Sequence, residues 1–123
     1  MTEMPDRILI VEDEDTLCES LQRVFKRDGY EADIADSAET AFRLLERNTY
    51  DLIITDVILP GISGIELIAR YKERNPDQKV IIMTAYASLQ TAVEALRVGA
   101  SDFIVKPIMH DELKRMVKKA LGR

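Results

Sequence analysis

Cysteine occurs once, at Cys18, so no internal disulfide can form, and neither a thiolate metal cluster nor a C-x-x-C motif is available. A reducing cytoplasm is the expected setting. No apolar run approaches the roughly 20 residues of a bilayer-spanning helix, and Met1 to Asp6 is too short and polar for a secretory signal. Basic residues do not dominate: 17 Lys and Arg stand against 22 Asp and Glu, a formal net charge of −5. Nucleic-acid phosphates attract the opposite balance, so direct nucleic-acid binding by this domain is not expected. Gly-rich phosphate loops are missing too, since neither G-x-G-x-x-G nor G-x-x-x-x-G-K-[ST] occurs, and Gly61 and Gly64 do not make one. No linker, repeat or low-complexity tract interrupts the chain.

What the sequence does have is 46% hydrophobic residues in 123, enough for one domain with a sizeable core. We expect a single unit over 1–123, with its core at about 5–121 and no output domain within these residues. Short aliphatic runs at Arg7–Val11, Leu52–Asp56 and Val80–Thr84 predict buried strands, Glu31–Ala35 a weaker edge strand, and Asp102–Lys106 the last strand. Between them, apolar residues recur at helical spacing. Leu17, Leu21, Val24 and Phe25 precede Gly29, and Ala38, Ala41, Leu44 and Leu45 follow a Ser37 cap. Ser63 and Glu66 have capping-box spacing ahead of Leu67, Ile68 and Tyr71. Ser88 opens a helix with Leu89, Val93 and Leu96 on one side and Gly99 as its stop, and a fifth helix spans about Asp111–Leu121.

Strands alternating with helices imply an α/β fold, a doubly wound parallel sheet of five strands with five helices on its two faces. Ligands of such sheets bind outside the carboxyl ends of the strands. The polar residues fall there: Glu12 and Asp13 after the first strand, Asp56 ending the third, Thr84 the fourth and Lys106 the fifth. The order 2-1-3-4-5, borrowed from flavodoxin-like sheets and not read from the residues, makes those four strands adjacent. Carboxylates converging at one edge repel one another unless a cation intervenes. Oxygen ligands with no histidine or cysteine beside them suit Mg2+, or Mn2+ in its place, with Asp13 and Asp56 as direct ligands. Lys106 supplies a fixed cation for Asp56 or for an added phosphoryl group, and Thr84 a hydroxyl.

Taken singly these residues have plainer uses. Asp13 and Asp15 fit N-terminal acids of the first helix, Asp56 a turn before Pro60-Gly61, Thr84 simple strand preference, and Lys106 a solvated strand end. Phe103 fits the core, Cys18 a structural thiol, and His110 a helix cap or surface residue.

Together the four motifs, Glu12-Asp13, Asp56-Val-Ile-Leu-Pro-Gly, Thr84-Ala85 and Lys106-Pro107, resemble along the whole chain the receiver domain of two-component response regulators. The stretch from Tyr86 to Lys106 is similar to receivers of enhancer-binding transcription activators. The resemblance implies that Asp56 takes a phosphoryl group from a phosphohistidine of a sensor histidine kinase. It implies Mg2+ held by Asp13, Asp56 and the backbone carbonyl of Ile58, with Glu12 acting through water. Glu12 stands where relatives often have the shorter aspartate. Thr84 and Phe103 would form the switch, though many relatives have tyrosine where Phe103 stands, so switching here rests on packing. Ile58, Ala85 and Tyr86 would set the phosphoryl lifetime, and the bond before Pro107 is cis in relatives. Kinase specificity would lie around Thr16, Cys18, Glu19 and Gln22. A homodimer would form on phosphorylation through the fourth helix, fifth strand and fifth helix, with Ala92 and Ala95 among the exposed positions.

Such a chain is a switch rather than a conventional enzyme, catalysing only its own phosphotransfer and dephosphorylation. An aspartyl-phosphate hydrolase would want a second acid where Ile58 stands, so that rival loses its general acid/base. One alternative stays open, a degenerate receiver that binds partners without phosphorylation.

Overall fold

The structure is a computed structural model that describes residues 4–86 and 88–123; residues 1–3, part of the N-terminal stretch considered above, lie outside it. Five strands, β1 (Arg7–Val11), β2 (Glu31–Ala35), β3 (Leu52–Asp56), β4 (Lys79–Thr84) and β5 (Asp102–Val105), alternate with five helices. The helices are α1 (Asp15–Arg27), α2 (Ala38–Arg47), α3 (Gly64–Arg74), α4 (Leu89–Arg97) and α5 (His110–Ala120). All pairings are parallel and the order is β2-β1-β3-β4-β5, the expected doubly wound sheet with β2 at an edge.

Strands covered on both faces are apolar at nearly every position rather than at alternate ones. In β1, Ile8 and Ile10 join Leu21 and Phe25 of α1 and Leu113 and Val117 of α5. Leu9 and Val11 point the other way, to Ala41, Leu67, Ile68 and Ala95 of α2, α3 and α4. Each such aliphatic side chain contributes about 1.5–3 kcal/mol of burial free energy, so the three inner strands dominate stability.

Helix starts follow their expected caps. The hydroxyls of Ser37, Ser63 and Ser88 accept from the backbone N–H of Thr40, Glu66 and Thr91. The Glu66 carboxylate pairs with Arg70 at 2.9 Å. Gly99, just past α4, has φ of 76°, a left-handed value that glycine adopts without steric cost.

Two expectations about surface positions need correction. The larger apolar residues of α4 face outward: Leu89 is 82% and Leu96 75% exposed, while Ala95 is buried against the sheet. The helix lies on its small residue, which permits close approach, so Ala95 is not an exposed dimer position and Ala92 is half-buried. Cys18 is buried too, on the inward face of α1, and cannot meet a kinase; Thr16 and Glu19 are exposed, and Gln22 donates to the Ala32 carbonyl at 2.7 Å. Among the described residues no helix is long and apolar enough to cross a membrane.

Register levels the strand ends that matter. Val11 lies beside Thr55, Asp56 beside Met83, and Thr84 beside Val105. Residues that follow β1 and β5 therefore meet the end of β3 at one edge.

Candidate functional site

Glu12 leaves β1 into the interior, only 1% exposed, with its backbone N–H donating to the Ala35 carbonyl at 3.0 Å. Its carboxylate accepts from the backbone of Glu14 at 3.0 Å and from Lys106 Nζ at 2.5 Å. Asp56, 6% exposed, accepts from the same Nζ at 2.5 Å through Oδ2, and from the backbone N–H of Ile58 at 3.1 Å through Oδ1. Asp13 is exposed and completes a triad in which one carboxylate oxygen from each of Glu12, Asp13 and Asp56 lies within 4.8 Å of the others. Lys106 follows β5 at a cis bond to Pro107.

The electrostatics follow from two buried acids sharing one ammonium. Burial pushes the Glu12 carboxyl above its ordinary range, and the neighbouring Asp56 adds to this while Lys106 opposes it. Burial alone would lower Lys106, but the hydrogen bonds and charges of Asp56 and Glu12 outweigh it and hold the ammonium above its ordinary value. Lys106 is therefore charged at neutral pH and shared between two carboxylates. Asp13 has no part in capping α1, whose cap is Glu14 without a side-chain hydrogen bond. An all-oxygen triad that is partly open to solvent, with no nitrogen or sulfur donor, fits a hard divalent cation such as Mg2+ or Mn2+.

The remaining expected residues are nearby but engaged differently. Thr84 is 2% exposed, and its hydroxyl both donates to the Tyr86 carbonyl at 3.1 Å and accepts the Tyr86 N–H at 2.9 Å. It is turned into its own loop. Phe103 is half-buried against the cluster that holds Val80, Ile82 and Ala95. Ile58 and Tyr86 are exposed, at 59% and 66%, and Ala85 is exposed as well. The Cys18 thiol donates to the Glu12 carbonyl at 3.0 Å, and burial pushes it up to about 12, as befits an inert thiol. His110 opens α5 at the surface, 3.2 Å from the Ser20 hydroxyl.

One residue set aside in the sequence proves to shape the site. A Cβ on Gly64 would lie 1.8 Å from the Asp56 carbonyl oxygen, so only glycine lets α3 start against the end of β3. The available signal was a glycine just after the Ser63 cap, where helix propensity disfavours it.

A doubly wound sheet whose carboxyl edge carries buried acids, a shared lysine and a threonine defines the class of small α/β signalling domains. More particularly, the chain belongs to the response regulator receiver domain family, whose description matches residues 8–118. It is 40% identical over 116 residues to the regulatory protein AtoC of Escherichia coli K12, covering 94% of this chain and 25% of that protein. It is 40% identical over 121 residues to the response regulator protein FleR of Pseudomonas aeruginosa, covering 98% of this chain and 26% of that protein. The chain thus spans about a quarter of the length of these relatives. Among solved structures, a CheY-like receiver domain protein of Methanospirillum hungatei superposes with a TM-score of 0.92 at 33% identity, over 97% of this chain and 95% of that one. The response regulator TrrA of Thermotoga maritima, in complex with Mg(2+)-BeF, gives 0.85 at 37% identity, over 94% and 99%. Receiver domains are signalling switches of two-component systems, served by sensor histidine kinases, and not enzymes of the usual kind.

Proposed function

We propose that this domain is a phosphorylation-dependent switch in which Asp56 accepts a phosphoryl group from the phosphohistidine of a sensor histidine kinase. The observation that carries this is Asp56 itself: a strand-end carboxylate, nearly buried, paired with Lys106 and set among two further acids. An Asp56 carboxylate oxygen attacks phosphorus, a P–O bond forms, the P–N bond to the kinase histidine breaks, and the bond pair leaves on the imidazole. Lys106 then has a phosphoryl oxygen to pair with, and Glu12 keeps its end of the ammonium in place. Thr84 has a hydroxyl to donate once it gives up its bonds to Tyr86.

Asp13, Asp56 and the Ile58 carbonyl would hold Mg2+ or Mn2+, with Glu12 through water; when bound, the ion neutralises charge on the transferring phosphoryl group. Phe103 would repack as Thr84 moves, and Ile58, Ala85 and Tyr86, all exposed at the rim, would meter the water that hydrolyses the acyl phosphate. The outward apolar residues Leu89, Leu96, Val105 and Met109 favour a homodimer through α4, β5 and α5. Transcriptional output through a different domain, a cytoplasmic setting and no DNA contact by this one complete the reading; residues 1–123 act as the receiver unit. The net negative charge supports the last point.

The test is intact mass after incubation with Mg2+ and a small acyl-phosphate donor. The wild type gains one phosphoryl mass and Asp56→Asn gains none. A wild type that stays unmodified would instead favour a phosphorylation-independent interaction module.

A further inference from the structure

We propose that Thr55 is a positioning residue for the phosphoacceptor, its hydroxyl locking the turn that joins Asp56 to Ile58. The proposal rests on Asp56 being the phosphoacceptor and adds a residue to that site. Thr55 is fully buried in β3, where a threonine hydroxyl needs a partner, and it donates to the Asp56 carbonyl at 3.0 Å. β1 pairs with β3 only as far as Val11 beside Thr55, so Asp56 lies one step past that ladder. The polar backbone groups that follow are each held as well. Val57 N–H donates to the Met83 carbonyl at 3.0 Å, the Val57 carbonyl accepts from Gly64 N–H at 2.8 Å, and Ile58 N–H donates to Asp56 Oδ1 at 3.1 Å.

Four consecutive groups thus fix two peptide planes, and these planes aim the Asp56 carboxylate. Gly64 sits beside the first of them: a Cβ there would lie 2.7 Å from the Thr55 hydroxyl and 1.8 Å from the Asp56 carbonyl. Of the four partners only Thr55 contributes through a side chain that is outside the acid cluster. It can be altered without touching a reacting group.

Thr55→Val keeps shape and strand preference but removes the donor, whereas Thr55→Ser keeps the donor. Two readouts are made on each folded variant. Amide hydrogen exchange of Val57 and Ile58, followed by NMR without metal or phosphodonor, speeds up about fivefold in Thr55→Val and returns towards wild type in Thr55→Ser. The rate of phosphorylation by a small acyl phosphate falls about fivefold in Thr55→Val and recovers in Thr55→Ser, with half-saturating Mg2+ raised in the valine variant alone. Equal exchange acceleration throughout β3, or a serine variant as slow as the valine one, would show that Thr55 only packs and would overturn the proposal. The exchange arm needs no phosphoryl group, so a wild type that takes none defeats the function assigned to Asp56 while still deciding what Thr55 holds.

Discussion

At the amino ends of the strands Arg7 sits among acids that remain partly solvated; at the carboxyl ends Lys106 sits between two acids that do not. Arg7 lies 3.3 Å from Glu31 and 3.5 Å from Asp33, whose side chains are 58% and 44% exposed. Its other guanidinium donors reach Asn48 and the Thr49 carbonyl, its plane lies 5.0 Å from the Tyr50 ring centroid, and Tyr50 in turn donates to Asp33 at 2.6 Å. Water and several partners share the charge there. Lys106 has two carboxylates with side chains 1% and 9% exposed, and a third acid, Asp13, lies close to those carboxylates. Both clusters gather charges from neighbouring parts of the sheet, but only the carboxyl-edge one has a buried surplus of negative charge, which is what an incoming cation or a transferable group can exploit. A cluster of charges is a site when its own members cannot satisfy one another.

The largest effect should come from removing the shared cation. Lys106→Met leaves Glu12 and Asp56 buried beside each other, and truncating one member of a buried ion pair costs about 3 kcal/mol. Urea unfolding at neutral pH without divalent metal measures the loss. Adding Mg2+ should then restore more stability to the variant than it adds to the wild type, because a cation re-enters the same acids. If the variant unfolds at the wild-type denaturant concentration, the surplus of charge at this edge is not felt.

Arg7→Met, the matching change at the other end, should cost only about 1 kcal/mol, since solvated pairs contribute little and the ring contact adds a fraction. Neither phosphorylation rate nor Mg2+ response should change. A loss as large as that of Lys106→Met would erase the distinction between the two ends.

That distinction was half visible in the residues. Glu12, Asp13, Asp56, Thr84 and Lys106 could be placed at strand ends because aliphatic runs stop abruptly before or at them, and parallel connection puts those ends at one edge. The strand order had to be borrowed, since hydrophobic pattern says that a strand is buried and not which strand lies beside it. The outward turn of Leu89 and Leu96 was not legible either: helical spacing defines a stripe, but whether a large stripe or a small one meets the sheet depends on the room above β4 and β5. Thr55 and Gly64 were passed over because a threonine in a strand and a glycine near a cap both have ordinary explanations, and only the 1.8 Å approach to the Asp56 backbone separates this glycine from those.

The smallest predicted effect is also the most specific to the carboxyl edge. Burial first, and then Asp56, raise the folded-state Glu12 carboxyl above its ordinary 4.5, against the opposing pull of Lys106. Between 4.5 and the raised value the folded chain keeps a proton that the unfolded chain has released, so stability contributed by Glu12 is present below 4.5 and is lost as pH rises through the folded value. Glu12→Gln cannot make that exchange. In metal-free buffer the stability of the variant relative to wild type should therefore climb from pH 4 to pH 7, read as the difference between urea midpoints at each pH. The two proteins share every other titrating group, so the difference reads Glu12 together with Asp56 and Lys106, the groups it is coupled to. A difference that stays level, or falls with rising pH, would mean that Lys106 has the upper hand over burial and that Glu12 is as well satisfied as the acids around Arg7.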